Sequence, residues 1–384
     1  MTGIYLDHAA TTPLRPEAAE AMAPYLADCF GNPNSPHRWG REARVALEQA
    51  RQRVASALGA AREEIYFTGC GTEADNIAVV GRARALRTRP GGVGGVVCSA
   101  IEHKAVLAAA DAVAAEGGDV TLLAVDETGH VDPSALDEVI DAHPAVVSVM
   151  WVNNEIGVVQ PIPVLAERCK AAGVAFHTDA VQAFGKLRVR VDETAVDMLA
   201  LSGHKIGAPK GVGVLYLRRG VEVSPICHGG GQEAGLRPGT QNVAAAVAMS
   251  VAVELGATEQ AAEAIRLAAL RDRLEQGLCG ALPDAVVNGG GERAPHVLNL
   301  SLPGLDQEAA LIALDMEGIA ASGGSACQSG GVEPSHVLVA IGRPAEGEAW
   351  IRFSFGRTTT AQEIDEAVAR VPRIVDRIRS LSAV

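Results

Sequence analysis

The chain has 384 residues and a formal net charge of −13, with hydrophobic residues at 48% and charged residues at 21%. That balance fits a soluble globular protein with a sizeable core, in one large domain or two unequal ones, and excludes a disordered chain. An acidic excess with no basic run argues against nucleic acid or an anionic membrane as partner, and the longest apolar stretch, 145–152, is too short to span a bilayer.

The N-terminus, MTGIYLDHAATTP, has neither a basic start nor an apolar stretch, so no export signal is visible. Seven cysteines occur: Cys29, Cys70, Cys98, Cys169, Cys227, Cys279 and Cys327. The number is odd, the spacing wide, and no C-x-x-C pair appears. This is the pattern of free thiols in a cytoplasmic protein, not of a disulfide framework or a zinc site.

A helix is expected from Ser35-Pro36 to Gly59. Between about 60 and 220, apolar runs alternate with helical stretches. Candidate strands are 65–68, 96–99, 120–125, 146–152, 174–177, 198–201 and 212–217. Asp132-Pro133 opens one intervening helix, and Pro163 opens another that Gly173 ends. Such alternation predicts a mostly parallel sheet covered by helices on both faces, an α/β fold. After about 256 the character changes to a long helix at 257–280, strands near 297–302 and 351–355, and a last helix near 361–381. This predicts a large domain over 15–256 and a smaller α+β domain made of 1–14 and 257–384.

In open α/β sheets, ligands bind beyond the carboxyl ends of the strands. The segments after five of the candidate strands are polar. GCGTEADN comes after 65–68, and Glu102 and His103 after 96–99. Asn153, Asn154 and Glu155 come after 146–152; Asp179 and Gln182 after 174–177; Ser202, His204 and Lys205 after 198–201. Five together point to one site.

Each has a plainer alternative. The Gly69-Cys70-Gly71-Thr72 turn suits a phosphate, though many strand–helix turns need glycine. Asp179 is by itself as well explained as a helix cap as a partner for a cationic ring nitrogen. Only five lysines occur among 33 basic residues. Lys205 comes after a buried-looking strand between polar neighbours, which suits an amine that forms a Schiff base; Lys104, beside His103, is its rival. His103 is either a core histidine or a group that stacks on a planar cofactor and moves protons. Cys327 sits in ASGGSACQSGG, nearly all Gly, Ala and Ser, which is either a surface loop or a mobile arm presenting a reactive thiol. Arg352 is a surface charge or a clamp for a carboxylate.

The motifs YLDHAATTP, GTEADN, EHKAV, NNEIGVVQP, HTDAVQ, SGHKIGAPKGVG, GGGQEAGLRPGTQN, SGGSACQSG with EPSHVL after it, and IRFSFGR run nearly the whole length of the chain. In them the chain resembles the cysteine desulfurases of the NifS and IscS type, within the fold-type I, class-V aminotransferase-like pyridoxal-phosphate enzymes. The resemblance implies a seven-stranded, mostly parallel sheet and a smaller α+β domain. It implies that Lys205 holds pyridoxal 5'-phosphate, that Asp179 pairs with its ring nitrogen and Gln182 with its ring oxygen, and that His103 stacks on the ring and serves in proton transfer. Gly71, Thr72, Ser202 and His204 would hold the phosphate, joined by Thr240 from the second subunit of a homodimer. Asn154 and Arg352 would bind the substrate carboxylate, and Cys327 would become the persulfide.

The implied reaction converts L-cysteine to L-alanine and passes sulfur to a protein acceptor such as an iron–sulfur scaffold or a thiolation enzyme. The alternatives are a selenocysteine lyase or other β-eliminating enzyme, which needs no protein thiol, and a non-enzymatic sulfur carrier, which needs no Lys205. The resemblance also implies a mobile arm over about 323–332. Departures are Cys70 in the phosphate turn, SGGSAC where SSGSAC is common, and the lack, in this sequence, of the C-terminal extension used for scaffold docking.

Overall fold

The computed structural model describes residues 3–88, 94–323, 334–344 and 347–382. Seven strands form the central sheet: β1 (Ile65–Thr68), β2 (Val96–Ser99), β3 (Val120–Leu123), β4 (Val146–Ser148), β5 (Ala175–Asp179), β6 (Met198–Ser202) and β7 (Gly213–Leu217). Their order across the sheet is β1-β7-β6-β5-β4-β2-β3. All pairings are parallel except those of β7, which runs against both β6 and β1. The reason lies in the connection 203–212. A parallel return takes a crossover of about a dozen residues or more, and this segment is too short to carry one.

The apolar runs set these strands, with shifts at their ends. The run 146–152 forms a ladder only at Val146–Ser148. Beyond it, the Val149 and Trp151 amides still donate to the carbonyls of His177 and Asp179, which carries the chain along β5 towards Asn154. Helix α1 (Arg38–Leu58) begins three residues later than expected. The His37 ring caps it by accepting from the Gly40 amide, and Gly59 at φ 73° ends it. The helix expected from Pro163 spans Ile162–Ala172, and Gly173 closes it in the same left-handed way. Helix α2 (Gly71–Asn76) comes after β1, and α3 (Lys104–Ala115) after β2.

Two large apolar clusters cover the two faces of the sheet. One holds Val147, Phe176, Leu199 and Val214; the other holds Cys98, Val146, Ala200 and Leu215. The alternation reflects the two-residue period of a strand. A further cluster gathers Ile4 and Leu6 with Leu267, Leu274, Leu300, Ile351 and Ile374. It packs on β8 (Val297–Pro303) and β9 (Glu348–Ser354), an antiparallel pair. Helix α4 (Val243–Ala281) joins the clusters as one unbroken 39-residue element. It starts earlier than the expected 257 because its first turns, rich in Ala and Val, are buried nearly all round and carry no amphipathic stripe. The short helix α5 (His336–Ala340) precedes β9, and α6 (Ala361–Ser382) closes the chain.

Candidate active site

The polar residues after the strands do meet. A cavity of about 440 Å³ opens at the carboxyl edge of the sheet. Its wall contains Gly71 and Thr72 after β1, His103 after β2, Asn154 after β4, Asp179 and Gln182 at and after β5, Ser202, His204 and Lys205 at and after β6, and Arg352 on β9. Gly213 makes one corner possible. It opposes both Thr68 and Ser202 in the sheet, and a Cβ there would come within 2.5 Å of the Cys70 carbonyl carbon. The β1–α2 turn can therefore lie directly against the sheet edge.

Lys205 reaches across to the N-terminal segment, where Nζ donates to the carbonyls of Ala9 and Ala10, each at 2.7 Å. Its rival Lys104 also borders the cavity but lies exposed at the first position of α3. Asp179 is buried at the end of β5, where its Oδ1 accepts from the Val181 amide at 2.8 Å. Burial pushes its carboxyl upward, and the charges of His103 and Lys205 pull it back. His103 caps α3, its Nδ1 accepting from the Ala105 amide at 3.1 Å; burial pulls its ring below the usual histidine range. His204, bonded through Nδ1 to the Thr11 hydroxyl at 3.2 Å, is lowered to about 4 by burial and by Lys205 and Lys210, so it is neutral at pH 7.

Gln182 is engaged at both ends of its amide. Nε2 donates to the Ala9 carbonyl at 2.9 Å, and Oε1 accepts from His296 Nε2 at 3.1 Å. Arg352 is almost wholly buried and donates to the Asn154 carbonyl at 2.9 Å and to Asp7 Oδ1 at 2.8 Å. Thr240 lies exposed in this single chain and is not part of the cavity wall. Cys327 lies outside the described residues, as does most of the arm expected over 323–332.

Three groups at the cavity escape the sequence reading. Asp75 on α2 is buried, and burial, then the charges of Asp179 and Glu102, push its carboxyl well up. Asp7 pairs with Arg352, and His336 stands at the start of α5 on the cavity wall. Asp7 and His336 fall inside the motifs YLDHAATTP and EPSHVL, but neither comes directly after a strand of the sheet, which is the signal that marks the others.

The model of one family, Aminotransferase class-V, matches residues 4–367. The cysteine desulfurase IscS of Dictyoglomus turgidum is 43% identical over 99% of this chain and 96% of its own length. A solved NifS-like protein superposes with a TM-score of 0.90 at 33% identity, covering 98% of this chain and 100% of that one. A structure of SspA in complex with cysteine superposes with a TM-score of 0.77 at 35% identity, over 91% of this chain and 98% of that one. The chain belongs to the class-V aminotransferase family and, within it, to the cysteine desulfurases of the NifS and IscS type.

Proposed function

We propose that this chain takes sulfur from L-cysteine, leaves L-alanine, and carries the sulfur as a persulfide on Cys327 for a protein acceptor, acting as a cytoplasmic homodimer. The observation that carries the reading is the convergence of Lys205, Asp179 and His103 on one cavity with Arg352 on its wall.

The family depends on pyridoxal phosphate, and the residues present fit that group. At Gly71 a Cβ would stand 3.0 Å from Val181 Cγ2 and 3.2 Å from the Ser202 Cβ, so glycine there keeps the corner between α2 and β6 open. Gly71, Thr72, Ser202 and His204 would hold the phosphate, with Thr240 of a second copy added in the dimer. Lys205 would attach the cofactor, Asp179 would face its ring nitrogen, Gln182 its ring oxygen, and His103 its ring face. When bound, the cofactor supplies an electron sink for the pair released at the substrate carbon.

The protein's own groups do the rest. Arg352, with Asn154 beside it, receives the carboxylate of L-cysteine and fixes its orientation. Lys205 takes the α-proton and returns it. Asp179, which burial pushes upward and the nearby Lys205 charge pulls back, would face the ring nitrogen, where a cation on the bound group would hold it ionised. The Cys327 thiolate accepts the sulfur.

Purified protein incubated with pyridoxal phosphate and L-cysteine tests the reading. It should yield alanine, with sulfide released in equal amount once a reductant is present. Pyruvate and ammonia in place of alanine would make it an eliminating lyase, and alanine from selenocysteine alone would make it a selenocysteine lyase. Sulfur loading on Cys327 without any turnover would make it a carrier.

A further inference from the structure

Of the three histidines on the cavity wall, His103 and His336 make hydrogen bonds that force opposite tautomers on them. His103 accepts the Ala105 amide on Nδ1 at 3.1 Å. A backbone N–H can only donate, so Nδ1 carries the lone pair and the proton of the neutral ring sits on Nε2. His336 bonds the Glu102 carbonyl through Nε2 at 2.9 Å. A carbonyl can only accept, so here Nε2 carries the proton and Nδ1 the lone pair. Among the described residues nothing donates to that Nδ1. Neutral His103 is therefore a proton donor to the cavity, and neutral His336 a proton acceptor.

The acceptor is held in place. Ser335, just before His336, donates from Oγ to Glu155 Oε2 at 2.5 Å and accepts the Leu338 amide at 3.2 Å, which fixes the first turn of α5. Val337 and Leu338 pack with Ile101, Ile156 and Trp350 beneath it. The carbonyl that His336 binds belongs to the residue before His103, so the two rings are tied to one short piece of chain. Glu102, His103 and Glu155 come from the loops packed against α5 and Arg352 from β9, with Lys104, Asp179 and Lys205 on the same cavity wall.

We propose that His336 accepts on Nδ1 the proton borne by the substrate sulfur, while His103 donates from Nε2 to the carbon that the sulfur leaves. The inference rests on the desulfurase reading. The Cβ–S bond breaks and an S–S bond forms to the attacking protein thiolate. The electron pair of the broken bond stays on Cβ and takes the His103 proton, giving the methyl group of alanine. The proton of the sulfur passes to His336 and on through the cavity to His103 Nε2 as His103 gives up its own, so neither ring is left charged. L-Cysteine and a thiolate thus become alanine and a persulfide anion, with no oxidant or reductant required. This division of labour gives His336 a catalytic part that the lone pair on its ring nitrogen makes possible and that His103 cannot fill without giving up its cap.

Side-chain nitrogen NMR on the histidine-labelled wild-type holoenzyme reads the tautomers directly. An unprotonated Nδ1 and a protonated Nε2 on His336 are expected; the reverse overturns the proposal. His336→Gln keeps an N–H for the Glu102 carbonyl but has no basic nitrogen. In that variant alanine formation should fall by about 10²–10⁴-fold, the range for losing one proton-transfer group. The rising limb of kcat with pH should lose one ionisation, while KM for L-cysteine and the visible absorbance of the holoenzyme stay. Unchanged kcat and pH profile overturn the proposal, as does a drop with an unchanged profile, which a purely structural role would give. If the wild type forms no alanine from L-cysteine, the desulfurase reading itself falls, a separate outcome read before any variant is made.

Discussion

Arg352 and Asp7, 345 positions apart, form an ion pair of 2.8 Å against the wall of the cavity. The guanidinium side chain is only 2% exposed and that of Asp7 20%. A buried guanidinium without a carboxylate is costly, so Asp7 offsets the burial of the arginine's charge and fixes its direction along the cavity wall. The pair also ties the start of the chain to β9, because the Ser354 amide donates to the Leu6 carbonyl two residues along the same seam. The cavity is thus closed by the two ends of the sequence.

Arg352→Lys should raise KM for L-cysteine by about 10–100-fold, the loss of roughly 1.5–3 kcal/mol expected when a charge-assisted contact is removed. An ammonium cannot reproduce the planar fork that meets a carboxylate with two bonds. Visible absorbance of bound cofactor should persist. Steady-state kinetics decide it, and an unchanged KM would take Arg352 out of substrate binding.

Lys205→Ala and Lys205→Arg should each lose turnover by more than about 10³-fold, because in the proposed reaction the amine is both the point of covalent attachment and the base. Both variants should also lack the visible band that the wild type shows with pyridoxal phosphate. Lys104→Ala should keep both, since Lys104 stands exposed at the start of α3. Normal turnover in Lys205→Ala with loss in Lys104→Ala would exchange the two assignments.

Much of this site is legible in the sequence because the strands stand out as apolar runs, and the residues just past the carboxyl end of a strand must sit at the sheet edge. His103, Asn154, Asp179 and Lys205 emerge that way. Nothing in the run Gly213–Leu217 sets its direction; that depends on the length of the connection before it. The start of α4 is hidden because Val243–Val253 is buried almost all round, so no amphipathic period marks it. The Asp7–Arg352 pair joins two segments with no sequence link, and no local pattern announces such a contact. His336 comes after a run of small residues that hides the short helix behind it.

Asp75 offers a test through stability. Its folded-state carboxyl is pushed well above the unfolded value of about 3.9 by burial. The folded chain then binds more protons than the unfolded one between those two values. The contribution of Asp75 is therefore fully present below the unfolded pKa and is lost as pH rises towards the folded pKa. Asp75→Asn, which cannot ionise, removes that loss. Urea midpoints at pH 5 and pH 8 should show the variant gaining on the wild type at the higher pH. His177, whose Nε2 lies 3.5 Å from Asp75 Oδ1, is lowered to about 3 by burial and so is neutral in the folded protein at both pH values. An equal gap at both values would mean that Asp75 titrates normally in the fold.

Cys327 should be essential for sulfur transfer and dispensable for binding the cofactor. In the proposed reaction the thiolate has to approach the substrate sulfur to roughly 3–3.5 Å, yet the persulfide would then have to meet a protein acceptor too large to enter the cavity. Its small-residue surroundings carry no bulky side chain to pin one position. Cys327→Ser should therefore stay yellow with pyridoxal phosphate, bind L-cysteine, and release no sulfide under reductant. The other thiols set the scale for a chemical test. Burial pushes Cys169 up to about 12 and Cys98 higher still, so neither should react with iodoacetamide at pH 7. Cys227 is exposed and is the fair competitor. Mass spectrometry of briefly alkylated holoenzyme should find Cys327 labelled ahead of Cys227, and prior incubation with L-cysteine should add one sulfur atom to the Cys327 peptide. Sulfide release at the wild-type rate from Cys327→Ser would end the desulfurase reading and leave a simple eliminating lyase, because elimination needs Lys205 but no protein thiol.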